Sequence, residues 1–208
     1  LVDAYHALNA IPYALGAQGL EDAFVTGGGY KYCQLGEGNC FLRVPPGREQ
    51  LRPVLTGWFS EFAELEHARA GGVAYGRGPA RFAGATYDPT SHYRAARVFG
   101  FFEEQGLSPG FLRDVSRHQV GLLAERFDAL DLDPRLVTRD RTAAPEAVAA
   151  FLALTSPRAG RLAHALKARG VWTDARGEAL RLGPAPYLSD DQLLAAVETL
   201  GEVVRLTG

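Results

Sequence analysis

The sequence predicts an α/β fold that closes with a smaller α+β domain, and three observations predict it. From Leu1 to about Pro53 the apolar residues come in short runs bounded by Gly and Pro, the pattern of buried strands. Beyond them, Ala95, Val98, Phe99 and Phe102 recur at i, i+3, i+4 and i+7, the period of one helix face. From Val148 onward the order is strand, helix, strand, strand, helix. With 208 residues, 47% of them hydrophobic and 22% charged, the chain can bury a full core.

In order, the first strand ends at Asp3, a second covers Ala23 to Thr26, and a third covers Asn39 to Val44 before Pro45-Pro46. Gln34 to Asn39 between them is a tight polar connection. The long helix starts near Ser91, capped by Ser91 or Thr90, and Gly106 ends it, because glycine accepts the left-handed angles of a helix end. His92 at the start of the long helix reads as solvent-facing or a neighbour of the cap, and a second helix from about Gly110 to Phe127 buries Leu112, Val115, Leu122 and Leu123, with His118 read as a structural histidine. Asp128 to Pro145 is polar and turn-rich, and its acids do not follow the spacing of a calcium loop.

Val148 to Thr155 then reads as a strand. Ser156-Pro157 opens a helix that runs to Arg169 and stops at Gly170. Strands follow at Val171 to Asp174 and Ala179 to Leu182, and a last helix starts at Ser189, where Gln192 completes a capping box. Leu193, Val197, Leu200 and Val204 face inward from it. The long helix places the boundary between residues 1–95, the end of a larger domain, and residues 96–208, a small α+β domain.

Charge and cysteine content exclude several classes. Lys and Arg number 22 against 24 acids, a net charge of -2, and no basic block appears, so nucleic acid is not an expected partner. No apolar run approaches the ~18 residues of a membrane span, and no signal-peptide pattern opens the chain, so the expected location is the cytoplasm. Cys33 and Cys40 are the only cysteines, at no common zinc spacing, and read as reduced thiols.

The stretch that carries chemistry is Val25-Thr26-Gly27-Gly28-Gly29-Tyr30-Lys31-Tyr32. A short apolar run stops at three glycines, which accept unusual angles or let a ligand near the main chain, and a lysine follows between two tyrosines. Lysine forms Schiff bases where enough of it is uncharged; otherwise Lys31 is an exposed side chain after a glycine turn. Upstream, Asp3-Ala4-Tyr5-His6 sets an acid and a histidine three residues apart at a strand end.

Asp-x-x-His at a strand end followed by Tyr-Lys-Tyr resembles the fold-type I pyridoxal phosphate enzymes of aminotransferase class V, and kynureninases among them. The resemblance implies a homodimeric, cytoplasmic enzyme of tryptophan catabolism that uses pyridoxal 5'-phosphate. Lys31 would be the Schiff-base lysine, Asp3 the partner of the pyridine nitrogen, and His6 a neighbour of the ring. A carboxylate suits that place because the ring is an electron sink only while its nitrogen holds a proton. Tyr30 would donate a proton, and Tyr30 and Tyr32 could bond the phosphate.

Further along, Gly57-Trp58-Phe59 and Arg81-Phe82-Ala83-Gly84-Ala85-Thr86-Tyr87-Asp88-Pro89 resemble the segments whose Trp and small polar residue reach the phosphate held by a partner subunit. Trp58 and Thr86 match them. Gly36 and Gly38 keep part of the family's glycine pattern, and Glu37 and Asn39 depart from it. Arg181, in Gly177 to Pro186, matches the arginine that binds the substrate's α-carboxylate. The chain has no methionine and opens on a strand-like residue, so it reads as the C-terminal half of such an enzyme.

The implied activity is hydrolysis of the Cβ–Cγ bond of kynurenine or 3-hydroxykynurenine to an anthranilate and alanine. A class V aminotransferase or a cysteine desulfurase-like lyase would use the same lysine. A noncatalytic dimerisation module is the reading from outside enzymology.

Overall fold

The computed structural model describes residues 1–67, 71–72, 74–84 and 86–207; Ala85 of the Arg81 to Pro89 segment and Gly208 lie outside the described residues. The chain forms two compact units, Leu1–Leu8 with Tyr13–Gly106, and Asn9–Pro12 with Leu107–Gly208.

The first unit holds a three-stranded sheet of β1 (Val2–Asp3), β2 (Val25–Gly28) and β3 (Cys40–Arg43), in that order. β1 and β2 are parallel, with Asp3 opposite Thr26, whereas β3 runs antiparallel with Cys40 opposite Gly28. β2 therefore continues into the glycines, past the expected end at Thr26. Helix α1 (Thr90–Glu104) completes the unit, and Gly106 follows it at φ 67°. The expected cap is corrected: neither Thr90 nor Ser91 caps α1. Asp88 Oδ1 instead accepts from the Thr90 amide at 2.9 Å and its hydroxyl at 2.7 Å, while the Ser91 hydroxyl donates to the Gly38 carbonyl. Of the expected apolar face only Ala95 is fully buried, and Phe99 is 45% exposed. Periodicity identifies a face; what covers that face is a tertiary matter.

The second unit is a four-stranded antiparallel sheet covered on one face by three helices. Its strands are β4 (Thr138–Arg139), β5 (Leu152–Thr155), β6 (Asp174–Arg176) and β7 (Ala179–Leu182), in the order β4-β5-β7-β6. Leu152, Leu154, Leu180 and Leu182 point to one side and pack on α2 (Pro109–Ala129), α3 (Ala159–Lys167) and α4 (Asp190–Thr207) through Leu123, Phe127, Leu162, Leu166, Val197 and Leu200. Alternation sends Ala153, Thr155 and Arg181 to the opposite face.

The strand expected over Val171 to Asp174 instead forms at Asp174–Arg176, and the one expected from Val148 begins only at Leu152, while the local signals at the helix starts hold. The Ser189 amide donates to Gln192 Oε1 at 3.0 Å, the capping box expected for α4, and Ser108 caps α2 by accepting from the Phe111 amide at 3.2 Å. All four residues expected to face inward from α4 are buried. On α2, Val115 and Leu122 are only partly buried, and Ser116 and Gln119 take buried positions on that helix. Gln119 tolerates this because its amide donates to the Ala185 and Leu188 carbonyls, both at 3.1 Å. His118 lies on the exposed side, where its Nε2 is 2.8 Å from Asp190.

The stretch read as a loop from Asp128 contains β4, a two-residue strand too short to alternate visibly. Arg139 of β4 and Arg141 both grip Asp128 at the end of α2. The Arg139 hydrogen bonds, then the charges of the two arginines, hold the Asp128 carboxyl below its usual 3.8.

Two outcomes follow for stability. Leu154→Ala removes a side chain with no exposed surface and is expected to cost about 2–5 kcal/mol in denaturant unfolding, whereas Ala153→Ser, one residue along on the open face, changes it by less than about 0.5 kcal/mol. Asp128 titrates lower in the folded than in the unfolded chain, so its contribution is complete above its ordinary 3.8 and disappears as pH falls through the lower folded value. Asp128→Asn should therefore lose stability at neutral pH and show a shallower fall in unfolding midpoint below about pH 4.

Candidate active site

Because β1 and β2 are parallel and in register, their C-terminal ends lie side by side, the edge at which α/β sheets bind ligands. Ala4 to His6 leaves β1 there and Gly29 to Lys31 leaves β2. The Ala4 amide donates to the Thr26 carbonyl at 2.8 Å, and the Ala7 and Leu8 amides turn back to the Ala4 carbonyl. The exposed Asp3 carboxylate accepts the Tyr5 amide through Oδ1 at 3.0 Å.

Lys31 is half-buried within this edge. Its Nζ lies 3.0 Å from His6 Nε2 and 3.3 Å from Nδ1, and donates to whichever nitrogen lacks a proton. The same amine is 5.7 Å from the centre of the Tyr5 ring and 5.6 Å from that of Tyr30, and the two rings are 5.4 Å apart. Two aromatic faces and an imidazole thus surround one amine, a setting that attracts an ammonium. Tyr5 hydrogen-bonds Cys40, which with burial pushes its phenol above the usual 10.0, so Tyr5 keeps its proton at neutral pH.

The three glycines act through space. Gly27, Gly28 and Gly29 are buried, and none has a positive φ. A Cβ on Gly28 would stand 2.7 Å from the Tyr5 ring and 2.8 Å from Cys40 Sγ. One on Gly29 would stand 2.1 Å from Leu35 Cδ1. What approaches the main chain here is the protein's own side chains. The unusual angles fall later, at Gln34, Gly36 and Gly38, with φ of 55°, 68° and 96°.

Those residues close the loop that carries Lys31. The Gln34 amide donates to the Lys31 carbonyl at 2.9 Å, the Leu35 amide to Gly29 at 2.8 Å, and the Gly29 amide to Asn39 at 2.9 Å. From α1, the Arg94 guanidinium donates to the carbonyls of Leu35 and Glu37, and Ser91 Oγ to that of Gly38 at 3.1 Å. Cys33 and Leu35 are buried with Ala95 beneath the loop. Burial pushes the Cys33 thiol up, away from the thiolate, while Cys40 is exposed.

The other expected site residues form two separate groups. Trp58 Nε1 donates to Thr86 Oγ1 at 3.1 Å, joining residues 28 apart in sequence, within an aromatic cluster of Phe59, Phe62 and Tyr87. Arg181 belongs to the second unit, on the open face of β7. Its guanidinium lies 5.5 Å from the Phe151 ring centre and pairs through Nη2 with Asp174 across the strands. Tyr5, Ser91 and Arg94 were not anticipated. Tyr5 stands inside the Asp-x-x-His motif and could have been weighed; the roles of Ser91 and Arg94 exist only once α1 meets the loop.

The fold is shared with solved cysteine desulfurases and an aspartate aminotransferase. A cysteine desulfurase from Thermococcus onnurineus NA1 superposes with a TM-score of 0.79 at 17% identity, covering 98% of this chain and 52% of its own. A cysteine desulfurase from Escherichia coli gives 0.73 at 15% identity, covering 99% and 51%. An aspartate aminotransferase of subgroup IV from Thermus thermophilus gives 0.63 at 18% identity, covering 98% and 54%. The chain thus spans about half the length of the solved structures it matches. No family model and no curated protein matches the sequence.

Gly29→Ala is expected to displace Leu35 and cost about 1–3 kcal/mol of stability, read from the thermal unfolding midpoint. Alanine at Gly47, where a Cβ meets nothing within 4 Å, controls for backbone strain alone, since its φ is 76°.

Proposed function

We propose that this chain carries the lysine of a pyridoxal phosphate-dependent enzyme of fold type I that acts on an amino acid. The observation that supports this most is Lys31, an amine set between His6, Tyr5 and Tyr30 at the shared end of two parallel strands. The residues fit the cofactor. Lys31 supplies a primary amine, and Asp3 Oδ2 is a carboxylate oxygen with no hydrogen bond among the described residues.

Lys31 Nζ would hold the cofactor's aldehyde carbon, Asp3 its ring nitrogen, and His6 would neighbour the ring, with Trp58 and Thr86 toward the phosphate in a homodimer. Bound, the cofactor supplies an aldehyde that takes up amines and a protonated ring that draws electrons from bonds at the substrate's α-carbon. A carboxylate at Asp3 would favour the protonated form of that ring. His6 accepts a hydrogen bond from Lys31 and orients it, and Lys31 Nζ and Tyr30 Oη are the groups that hold and move protons. Arg181 would take the substrate's α-carboxylate. Asp174 takes one hydrogen of its Nη2, while Nε and Nη1 have no acceptor among the described residues. One of these two, with the second Nη2 hydrogen, forms an edge that holds a carboxylate with two parallel bonds.

Within this class, lyase or aminotransferase chemistry is favoured, because cysteine desulfurases and an aspartate aminotransferase share the fold over nearly all of the chain. If sulfur is transferred to a thiol of this chain, Cys40 is the accessible one. Kynureninase-like hydrolysis is the second reading. The Trp58 to Thr86 hydrogen bond supports it, since the two residues that the resemblance assigns to one phosphate lie together.

Borohydride reduction of the purified protein followed by peptide mapping should find a reduced cofactor adduct on Lys31, and Lys31→Ala should lose turnover by at least about a thousandfold. Product decides the class: sulfide from L-cysteine, a keto acid from transamination, or anthranilate from kynurenine. A chain that takes up no cofactor at Lys31 would instead support a noncatalytic module.

A further inference from the structure

Arg181 is held by something the function above does not use. Its side chain is 19% exposed, lies on the Phe151 ring and pairs with Asp174, a half-exposed acid of β6 directly across from it in the sheet. Phe151 precedes β5, and Ala153 of β5 is the cross-strand neighbour of Arg181 on its other side. An arginine side chain has several rotatable bonds and pays heavily in entropy to be fixed. Here one contact sets the guanidinium over a ring and the other pins one end of it.

Geometry decides whether that pin blocks the fork or presents it. A guanidinium has two edges able to take a carboxylate in parallel, Nε with Nη2 and Nη1 with Nη2. Each edge uses a different hydrogen of Nη2. Asp174 engages Nη2 alone, so whichever hydrogen it takes, the other edge keeps both of its donors. Asp174 also has Arg176 Nε at 3.6 Å, so its negative charge is shared with a second cation and does not neutralise Arg181 outright.

We propose that Asp174 is a positioning residue: through Nη2 it fixes the Arg181 guanidinium against Phe151 with one two-donor edge open, and so sets the preference for ligands that carry a carboxylate. The proposal rests on the reading of Arg181 as the carboxylate-binding residue. Asp174 does not touch the ligand in this arrangement and acts only through Arg181.

The test compares L-alanine with L-alaninamide, which differ only in the carboxylate. Binding of each to the cofactor-loaded full-length protein is read from the change in cofactor absorbance, a measure of binding independent of turnover. The wild-type protein should prefer L-alanine, and Arg181→Gln should abolish that preference. Asp174→Asn should lower the preference about tenfold by weakening L-alanine and leaving L-alaninamide unchanged, with Asp174→Glu recovering part of it. The unfolding midpoint of each variant separates this from a loss of fold, which a half-exposed position should spare.

If Arg181→Gln abolishes the preference while Asp174→Asn leaves it intact or strengthens it, Asp174 is a bystander or a competitor and the proposal is overturned. No preference in the wild-type protein, or a preference that survives Arg181→Gln, would instead overturn the reading of Arg181 itself.

Discussion

The constraint on which the candidate site depends is the absence of side chains at Gly27, Gly28 and Gly29. These buried residues sit where β2 ends, and three of the protein's own groups occupy the space a Cβ would need: the Phe41 ring with Leu8, the Tyr5 ring with Cys40, and Leu35. Glycine costs roughly 0.5–1 kcal/mol relative to alanine in a strand because it loses more freedom on folding. Close approach offsets that cost. It brings Tyr5 over the end of β2, so that Lys31, leaving that strand, meets two rings and the His6 imidazole.

The loop that follows is closed from two directions. Its own backbone bonds fold Leu35 back onto Gly29, and α1 reaches over with Ser91 and Arg94 to take three carbonyls. Those carbonyls belong to a segment with left-handed angles at Gln34, Gly36 and Gly38, where no regular structure would satisfy them. A helix some fifty residues later in the chain thereby fixes the lysine's loop. Rigidity at this place is what the role proposed for Lys31 would require.

In the second unit the relation between core and site is simpler. A strict alternation in β7 buries Leu180 and Leu182 and leaves Arg181 on the open face. Any slip of register by one residue would exchange them. The same packing that stabilises the sheet therefore decides where the guanidinium emerges and sets Asp174 beside it. Solved structures of 15–18% identity share the fold, which is expected if apolar pattern and volume, and not residue identity, are what a core requires. The chemistry has to be argued from the residues at the site.

By itself the sequence determined many of the elements and named candidates for the chemistry. Strands ending at Asp3, within Asn39 to Val44 and at Ala179 to Leu182, the capping box at Ser189 and the buried stripe of α4 are local patterns, legible because a few adjacent residues carry them. Lys31 and His6 were legible as candidates through motif, and their contact at 3.0 Å is a fact of the fold. Tertiary structure decided the rest. It assigned the three glycines to packing in place of unusual angles, made Asp88 the residue that opens α1, left Phe99 exposed, and joined His118 to Asp190 across 72 positions. Each of these depends on which distant segment arrives at a residue, and periodicity and spacing along one chain carry no record of that.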